Sequence, residues 1–412
     1  MTDRPGSRLV VWIVNQYAGS TVHGMEFRHY EIGKELVRRG HRVVIISGSY
    51  SHLYTSPPAT SGTYTLEEID GITYCWVKVP AYGRAVSLGR VVNMLVFAAR
   101  LFRLPVDRLP PPDAIVVSSP SLFPILPAER WAKRRHARLV FEVRDLWPLS
   151  LQEVAGLPRR HPLTLLMGWF ERRAYRVADA VVSVLPATLP HLVSKGMAAS
   201  KLTVIPNGVT EDALLEPATD APDAIRAAVA GSPFTEGFVG TLGLANALDT
   251  LVGAARLLED EGVRFVLVGA GSERAALEDA CRGLANVTLS GPVPKRDVPA
   301  ALRLFDACYV GYRPSPLYRF GISPNKVFEY MAASRPIILA AQAANDIVAD
   351  AGCGITVPPG DPVALAQAIR DLRALTPEER ARLGTNGRAY VEREHGMPGL
   401  VDRYLAVLEG TR

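Results

Sequence analysis

The amino-acid sequence predicts an α/β protein made of two doubly wound, Rossmann-like domains in tandem. Short runs rich in Val and Ile alternate with helical patterns, which is typical of parallel sheets covered on both faces. This alternation begins near residue 8 and begins again near residue 232. The chain has 412 residues, of which 48% are apolar, so it can bury two or three separate cores.

The first series contains seven predicted strands. Helical patterns fit between many of them, notably over 24–39 and 121–136. The runs are RLVVWIVN, HRVVIISGS, ITYCWVKVP, AIVVSSP, RLVFEVRD, AVVSVLP and LTVIPNG. They predict a parallel α/β domain over residues 1–209.

Six further runs form the second series, and each is followed by a helical pattern. They are PFTEGFVGTLG, VRFVLVGAG, NVTLSGP, ACYVGYR, PIILAA and GITVPPG, and they predict a second domain over residues 233–392. The segment 210–232 between the two series is rich in Ala, Asp and Pro and has no strand pattern. It is predicted to be a linker.

Composition bears on the location of the protein and on the chemistry of its cysteines. No run of about 18 uncharged apolar residues occurs, and the N-terminus lacks the features of a signal peptide, so a cytoplasmic protein is expected. The four cysteines, Cys75, Cys281, Cys308 and Cys353, have neither metal-ligand nor disulfide-framework spacing. They are predicted to be buried thiols, and no metal site is expected.

Positive charge is concentrated in the first half of the chain. Up to residue 205 there are 26 Lys and Arg against 15 Asp and Glu, a net charge of +11, whereas the remainder has a net charge of −6. Such a domain can attract anionic lipid head groups or an anionic substrate. Nucleic acid is not an expected partner, because no recognised binding motif accompanies the charge.

The segment 88–104 has two interpretations. Arg90, Asn93, Arg100 and Arg103 fall along one stripe of a helix, and aliphatic or aromatic residues surround them. The segment is predicted either to lie on a membrane surface or to be a helix of the core.

Glycine-rich turns follow two predicted strands of the second domain. Gly240 ends the strand in VGTLGLANALDTL, and Gly269, Gly271 and Ser272 follow the strand in LVGAGSERAAL. Glycine at such turns lets backbone N–H groups approach a phosphate. A dinucleotide-dependent oxidoreductase is not favoured, because GAGSER lacks the third glycine of GxGxxG and the strand in NVTLSGP ends without an acidic residue; no P-loop occurs either.

The stretch SPNKVFEY, which begins at residue 323, predicts the N-terminus of a helix. Ser323 is a suitable N-cap, and Pro324 suits the first helical position. Lys326 and Glu329 then share one face, beside first-turn N–H groups that favour an anion. A ligand with a phosphate and neighbouring hydroxyls, such as a nucleotide, fits this arrangement; an ordinary capped helix with a surface ion pair is the alternative.

Several segments, in the same order, resemble glycosyltransferase family 4. They are IPNGV, FVGTLGLANALDTLVGAARLL, LVGAGSE, LSGPVPKRDVPAALRLFDACYVGY and SPNKVFEYMAASRPII. The stretches NQYAGSTVHGMEFRHYEIGKELVRRGHRVVIISGSYSHL and FEVRDLWPLSL resemble the branch of bacterial surface-polysaccharide enzymes similar to N-acetylfucosamine transferases. The resemblance implies a GT-B fold with two domains facing a cleft, residues 393–412 returning to the first domain as a helix, and retention of the anomeric configuration without metal or cofactor.

The resemblance also implies the donor site. Glu329 matches the second glutamate of the family's E-x7-E motif and would bind the ribose of a nucleoside diphosphate sugar, while Lys326 would neutralise the diphosphate. The other implied donor contacts are Gly19, Gly240, Thr241, Asn246, Gly269, Gly271, Ser272, Val293, Gly321, Ile322, Ser323 and Asn325.

The chain departs from the family's pattern at three positions. Gly321 stands where the motif has its first glutamate, so the sugar contacts would come from backbone amides of FGIS or from elsewhere. Thr241 and Asn246 stand where most members have the Arg and Lys that clamp the diphosphate. Loss of both cations would weaken charge stabilisation in the transition state. The candidate replacements are Lys326, Arg28 and Arg319.

Acceptor-side residues are predicted in the first domain. Asp145, in EVRDLWP, can orient or deprotonate an acceptor; a helix N-cap or an ion pair with Arg144 is the structural alternative. His23, Arg28 and His29 would face the acceptor from the N-terminal loop and helix. The resemblance implies a front-face substitution in which the departing phosphate takes the acceptor's proton, so no protein nucleophile is required.

The predicted function is therefore transfer of a sugar from a nucleoside diphosphate sugar to an acceptor. A lipid-linked saccharide of surface polysaccharide synthesis is favoured, because the basic first domain and the segment 88–104 could hold the enzyme at the inner face of a membrane. A small soluble acceptor of natural-product biosynthesis, a nucleotide-sugar 2-epimerase and a nucleotide-binding pseudoenzyme are the alternatives.

Overall fold

The chain forms two compact units. One runs to Pro206 and resumes at Met397, and the other is Asn207–Gly396. The computed structural model describes residues 8–24, 27–52, 54–83, 87–215 and 220–410. The polar N-terminal lead, 1–7, and part of the predicted linker, 216–219, lie outside the described residues.

The first unit is built on an eight-stranded sheet. Its strands are β1 (Val10–Val14), β2 (Arg42–Gly48), β3 (Tyr64–Ile69), β4 (Ile72–Val77), β5 (Ala114–Ser118), β6 (Arg138–Val143), β7 (Ala180–Ser183) and β8 (Leu202–Val204). They lie in the order β3-β4-β2-β1-β5-β6-β7-β8, and all neighbours are parallel except β3 and β4. All seven predicted runs form strands. The sequence interpretation missed β3, which pairs with β4 across a turn at Asp70 and Gly71, both at positive φ.

The second unit is built on a six-stranded parallel sheet. Its strands are β9 (Phe234–Val239), β10 (Val263–Val268), β11 (Val287–Ser290), β12 (Ala307–Gly311), β13 (Ile337–Ala340) and β14 (Gly354–Val357). They lie in the order β11-β10-β9-β12-β13-β14. All six predicted strands form, and the doubly wound α/β prediction is confirmed.

Helices connect the strands of both sheets. In the first unit these are α1 (Arg28–Arg38), α2 (Leu88–Leu101), α3 (Ile125–Arg135), α4 (Leu149–Glu153), α5 (Pro162–Val177) and α6 (Leu189–Ser194). In the second unit they are α7 (Glu211–Leu214), α8 (Asp223–Val229), α9 (Leu248–Leu257), α10 (Arg274–Ala280), α11 (Val298–Leu302), α12 (Asn325–Ala332), α13 (Ile347–Ala351), α14 (Pro362–Ala374) and α15 (Pro377–His395). The C-terminal α16 (Met397–Glu409) belongs to the first unit. Short 3-10 helices cover Val106–Arg108, Ala199–Lys201, Leu244–Asn246, Lys295–Asp297 and Pro316–Phe320.

Helices cover both faces of the first sheet. On one face α1 and α16 pack against the strands, and Tyr404 of α16 is fully buried there. On the other face Trp131 of α3 and Tyr175 of α5 lie edge-on to the strand rings of Trp12 and Phe141, with ring centroids 5.7 Å apart in both pairs. Cover on both faces explains why most of these strands are apolar throughout instead of alternating.

The segment predicted as a linker is folded onto the second unit. Ile225 and Ala228 of α8 are buried in the core of that unit. The hydroxyl of Thr210 caps α7 by accepting from the backbone N–H of Ala213. The segment has no strand in its described part, as its composition indicated, but its apolar side chains contribute to the core.

Candidate functional site

Three glycines bring the turns after β9 and β10 into backbone contact. A Cβ on Gly269 would lie 1.9 Å from the carbonyl oxygen of Gly240, and a Cβ on Gly271 would lie 2.1 Å from that of Leu242. Gly240 and Gly269 also have φ values of +154° and +151°, which favour glycine. Ser272 follows as an exposed residue. The turns thus expose backbone at the carboxyl edge of the sheet, where ligands of such folds bind.

Lys326 extends across Gly240. A Cβ on Gly240 would lie 2.4 Å from Cε of Lys326, so this glycine leaves the room that the lysine occupies. Nζ of Lys326 donates to Oδ1 of Asn246 at 2.7 Å and lies 5.3 Å from the ring centroid of Phe238. Burial lowers the pKa of Lys326 to about 8, although the nearby Glu329 carboxylate acts in the opposite direction.

Asn246 links this lysine to the turn after β9. Its Nδ2 donates to the carbonyl oxygen of Thr241 at 2.7 Å while its Oδ1 accepts from Lys326. Thr241 itself is exposed. The two positions that depart from the family's cationic pattern therefore form, with Lys326, one hydrogen-bonded group.

The start of α12 differs from the prediction. The helix begins at Asn325, Pro324 occupies the N-cap position, and no side chain caps it. The prediction that Ser323 is the N-cap is wrong, because its hydroxyl accepts from the backbone N–H of Asn207 at 2.8 Å. Asn207 also donates through Nδ2 to the carbonyl oxygen of Ser323 at 2.7 Å, so a residue of the IPNGV segment fixes the approach to α12.

Glu329 has a partner that the sequence interpretation did not include. Nζ of Lys295 lies 2.5 Å from Oε1 of Glu329, and the lysine side chain is largely exposed. Lys295 follows Val293, which is half-buried and packs against the core of the unit. The signal that could have identified Lys295 is its place two residues after Val293, an implied donor contact.

The backbone amides of the segment before α12 already have hydrogen-bond partners within the protein. Gly321, at φ +92°, donates its N–H to the carbonyl oxygen of Tyr318 at 2.9 Å. Ile322 donates its N–H to Oδ1 of Asn345 at 2.8 Å and accepts from Nδ2 of the same side chain at 3.0 Å. Sugar contacts from these two amides would therefore need an exchange of partners. Asn345 is a further residue that sequence reasoning missed.

Arg319 and Asn325 complete the predicted residues of this unit. Both are exposed. The guanidinium of Arg319 lies 4.4 Å from the ring centroid of Phe320 and donates to the carbonyl oxygen of Pro316. Neither contact is evidence that Arg319 binds an anion.

The first unit contains a buried charged network around Glu142, at the end of β6. Oε1 of Glu142 accepts from Nε of Arg28 at 3.0 Å, and Oε2 lies 2.5 Å from Nε2 of His29. Ser118 and Tyr404 also donate to this carboxylate, at 2.8 and 3.3 Å. Burial alone would raise the pKa of Glu142, but Arg28 and His29 hold it well below its usual range.

Arg28 and His29 are therefore held inside the first unit. His29 is fully buried, and Nδ1 of its ring lies 2.8 Å from Nδ2 of Asn15. Arg28 donates to the backbone carbonyls of Ile205 and Pro206 at 2.9 and 2.7 Å. These contacts place Arg28 and His29 in a structural network. Acceptor-side roles for the two residues remain predictions.

The other acceptor-side predictions lie apart from that network. His23 is buried, with its ring nitrogens 2.7 Å from the carbonyl oxygen of Ser56 and 2.9 Å from Oε2 of Glu67. Gly19 is buried and accepts from the hydroxyl of Tyr74. Asp145 is the exposed member of this set, in the turn after β6, and its backbone N–H donates to Oγ of Ser119 at 3.1 Å.

Two features of the described residues bear on metals and membranes. Among them, no three His, Cys, Asp or Glu side chains lie together as a possible metal site. No helix in the described ranges has the length and apolar character needed to cross a bilayer. The four cysteines are free thiols, buried except for Cys281, which is half-buried.

Two family models match the chain. The model described as "Glycosyl transferase 4-like domain" matches residues 23–208, and the model described as "Glycosyl transferases group 1" matches residues 233–374. Together the two matches cover most of both α/β units.

Curated relatives include glycosyltransferases of several bacteria. WcaI of Escherichia coli K12, named as a glycosyl transferase of colanic acid biosynthesis, is 25% identical over 398 residues, which cover 92% of this chain and 95% of WcaI. WbjE of Pseudomonas aeruginosa, named as a probable glycosyltransferase, is 28% identical over 38% of this chain and 41% of its own length. TuaH of Bacillus subtilis, named for teichuronic acid biosynthesis, is 27% identical over about half of each chain.

Solved structures share the fold along the full length. Sucrose-phosphate synthase of Thermosynechococcus elongatus has a TM-score of 0.73 and 18% identity, and covers 98% of this chain and 99% of its own. HepE of Anabaena, solved with UDP and glucose, has a TM-score of 0.66 and 16% identity, with 98% and 100% covered. With both family models matched in chain order on two doubly wound units, the chain belongs to the family 4-like glycosyltransferases of GT-B fold.

Proposed function

We propose that this enzyme transfers a sugar from a nucleoside diphosphate sugar to a saccharide acceptor, with retention of anomeric configuration and without a metal. The observation that carries the proposal is the arrangement of Lys326 and Glu329. A desolvated cation and a carboxylate lie on neighbouring turns of α12, beside glycine turns that expose backbone at the carboxyl edge of the sheet. Such a site matches a ligand that carries a diphosphate and ribose hydroxyls.

In the proposed donor complex, Glu329 accepts from the ribose hydroxyls and Lys326 neutralises the diphosphate. HepE, which shares the fold, was solved with UDP and glucose, and a trehalose-6-phosphate protein of Escherichia coli was solved with UDP-2-fluoro glucose. Those complexes support a nucleotide sugar as the donor of this chain as well. Gly240, Gly269 and Gly271 would supply close backbone approach.

The proposed reaction breaks the bond between the anomeric carbon and the diphosphate oxygen. The acceptor oxygen forms the new bond on the same face, and its proton passes to the departing phosphate, so atoms and charges balance without a protein nucleophile. Lys326 would stabilise the negative charge that grows on the leaving group. Asp145, exposed after β6, would orient the acceptor.

For the acceptor we favour a lipid-linked saccharide at the inner face of a membrane. WcaI and TuaH, the relatives named for colanic and teichuronic acid biosynthesis, support a role in surface polysaccharide synthesis. The basic first half of the chain, net +11 up to residue 205, would favour an anionic surface.

The first test is a thermal-shift screen against UDP, GDP, dTDP and CDP and their sugars, without added metal. We expect one nucleotide to stabilise the protein more than the others, which would identify the donor class. The absence of a shift with every nucleotide would contradict the donor site. Release of an epimerised nucleotide sugar in the absence of any acceptor would favour the 2-epimerase.

The second test uses calorimetry with the nucleotide that gives the largest shift. Glu329→Ala should abolish measurable binding while the melting temperature stays unchanged, because the side chain is partly exposed. Glu259→Ala, at an exposed position of the same unit, is the matched control. Unchanged affinity in Glu329→Ala would refute the ribose assignment.

A further inference from the structure

Two helices of the first unit present apolar side chains to solvent. On α2 and the residue that follows it, Leu88, Val92, Leu95 and Phe102 are between 44% and 84% exposed. They are spaced four, three and seven residues apart, so they form one stripe along the helix. The stripe is additional to the buried side of the helix, which carries Met94, Phe97 and Leu101.

The opposite side of α2 is buried against the first unit. Asn93 of the predicted polar stripe is fully buried and donates through Nδ2 to the carbonyl oxygen of Pro80 at 2.6 Å. Arg90 lies over the rings of Tyr17 and Trp147, 5.1 and 5.8 Å from their centroids. Met94, a neighbour of Asn93, is buried as well. One side of α2, with Asn93, Phe97 and Leu101, is therefore buried, while Arg103 and the apolar stripe lie outside.

A second apolar patch lies on α5. Leu165, Leu166 and Trp169 are 44% to 58% exposed, whereas the buried side of the helix carries Met167 and Ala174 among others. The sequence has five tryptophans, and of these Trp169 is the exposed one. A tryptophan beside leucines on an exposed helical face is typical of interfacial helices.

The two patches border the same segment of chain. The guanidinium of Arg90 in α2 lies over the ring of Trp147, and a Cβ on Gly168 in α5 would lie 3.9 Å from Cγ of Pro148. Trp147 and Pro148 lie two and three positions after Asp145, the proposed acceptor residue. Both apolar patches thus adjoin the turn that would receive an acceptor.

Exposed arginines lie on or beside both helices. Arg103, after α2, and Arg172 and Arg176, on α5, are exposed, and none of the three makes a salt bridge within the described ranges. The sequence of α2 contains no Asp or Glu, and the single acid of α5, Glu171, is buried. Two apolar patches ringed by cations, without an exposed carboxylate on either helix, match an anionic lipid surface.

We propose that the exposed faces of α2 and α5 dock the first unit onto an anionic lipid bilayer, with the apolar side chains at the level of the head groups. A second copy of the chain fits less well, because the cations of the two copies would face each other. The proposal rests on the proposed function, since it gives a lipid-linked acceptor a surface beside Asp145.

Vesicle flotation at low salt tests the proposal with the full chain. Wild type should float with vesicles of equimolar phosphatidylcholine and phosphatidylglycerol, and should not float with pure phosphatidylcholine. The double variant Leu95→Glu/Trp169→Glu should lose about tenfold or more in partitioning onto the vesicles, because each new carboxylate would be repelled by the anionic lipid head groups. Leu257→Glu, a similarly exposed leucine of α9, is the matched control and should float like wild type.

A fluorescence measurement keeps the test independent of the charge variants. Trp169 emission should shift to the blue and be quenched by brominated lipid when anionic vesicles are added, and Trp169→Phe should remove most of this signal. Failure of wild type to float, or equal flotation of wild type and the double variant, would overturn the surface. Concentration-dependent dimers that the double variant abolishes, without any lipid binding, would assign the surface to a second copy instead.

Nucleotide calorimetry on the same preparations separates the two hypotheses. The double variant should bind the donor nucleotide like wild type, because α2 and α5 lie in the first unit and the proposed nucleotide residues lie in the second. Loss of flotation with intact nucleotide binding supports the docking surface. Intact nucleotide binding in a protein that never floats would refute the surface and leave the proposed donor site standing.

Discussion

Protonation of Lys326 should control the affinity of the enzyme for its nucleotide sugar. Burial lowers the pKa of this lysine to about 8 in the free protein, whereas a bound diphosphate would raise it by direct charge attraction. Binding above about pH 8 therefore requires uptake of a proton. The affinity should be flat below about pH 7 and should fall as the pH rises through the free-protein pKa.

The size of the effect follows from that pKa. With a value of about 8, roughly nine-tenths of the lysine is charged at about pH 7 and roughly one-tenth at about pH 9, so the dissociation constant should rise about tenfold over this interval. This factor corresponds to about 1.4 kcal/mol. At about pH 8, where half of the lysine is charged, binding should take up about half a proton per site.

Calorimetry in two buffers of different ionisation enthalpy measures both quantities. A nucleotide sugar is the suitable ligand, because its diphosphate, esterified at both ends, does not titrate in this range. Lys326→Arg carries a charge that does not titrate, so its affinity should be flat over the same interval. Lys326→Met should bind weakly at every pH.

Gly240→Ala perturbs the same lysine without removing it. The added Cβ would lie 2.4 Å from Cε of Lys326, so the side chain would have to leave its present position and its bond to Asn246. Affinity should fall while Gly62→Ala, with open space around its Cβ, stays like wild type. A pH-independent affinity in the wild-type enzyme, or no proton uptake at about pH 8, would refute the assignment of Lys326 to the diphosphate.

Two further predictions concern buried carboxyl groups. Glu236 is fully buried in β9, neither of its oxygens has a hydrogen-bond partner within the described ranges, and burial, with Asp306 nearby, raises its pKa well above the usual value. The folded state then keeps a proton that the unfolded chain releases above about pH 4.3, so stability should fall by about 1.4 kcal/mol per pH unit as the pH rises toward the folded-state pKa. Urea unfolding of Glu236→Gln beside wild type should show this slope in wild type alone, and parallel curves would contradict the neutral carboxyl. Glu142→Gln should lower the free energy of unfolding by about 3 to 5 kcal/mol in the same assay, because it leaves the buried Arg28 without its carboxylate. The control Tyr404→Phe should lower it by about 1 kcal/mol. A smaller loss in Glu142→Gln than in Tyr404→Phe would show that the network adds no stability.

The strands were predictable because their signal is local and strong. Every predicted run of Val and Ile became a strand, since a strand covered on both faces has no alternative to continuous apolar sequence. β3 escaped prediction because it lies at the sheet edge, where its residues are mostly half-exposed or exposed and the run is diluted by Thr and Glu. Its one local signal was the Asp-Gly pair at the turn that follows it.

Position-specific predictions failed where a distant residue competes for the same atom. Ser323 satisfies every local rule for an N-cap, yet its hydroxyl bonds to Asn207, which lies 116 positions away in the sequence. The α2 helix shows the same limit on a larger scale. Periodicity left open whether 88–104 lies on a membrane or in the core, and the structure buries one side of the helix and exposes another. The place of Arg90 on it depends on the rings of Tyr17 and Trp147, which no local pattern places there.

Asn246 shows how a departure from a family pattern can be interpreted in physical terms. Its Oδ1 lies 2.7 Å from Nζ of Lys326, a distance at which a second ammonium group would be strongly repelled. An amide there accepts a hydrogen bond from the lysine, and its other end is fixed by the carbonyl oxygen of Thr241. The neutral residues at 241 and 246 therefore hold Lys326 in place without adding charge. A donor site arranged this way relies on one lysine of depressed pKa to neutralise the diphosphate, which is why its affinity should respond to pH when a site clamped by an arginine would not.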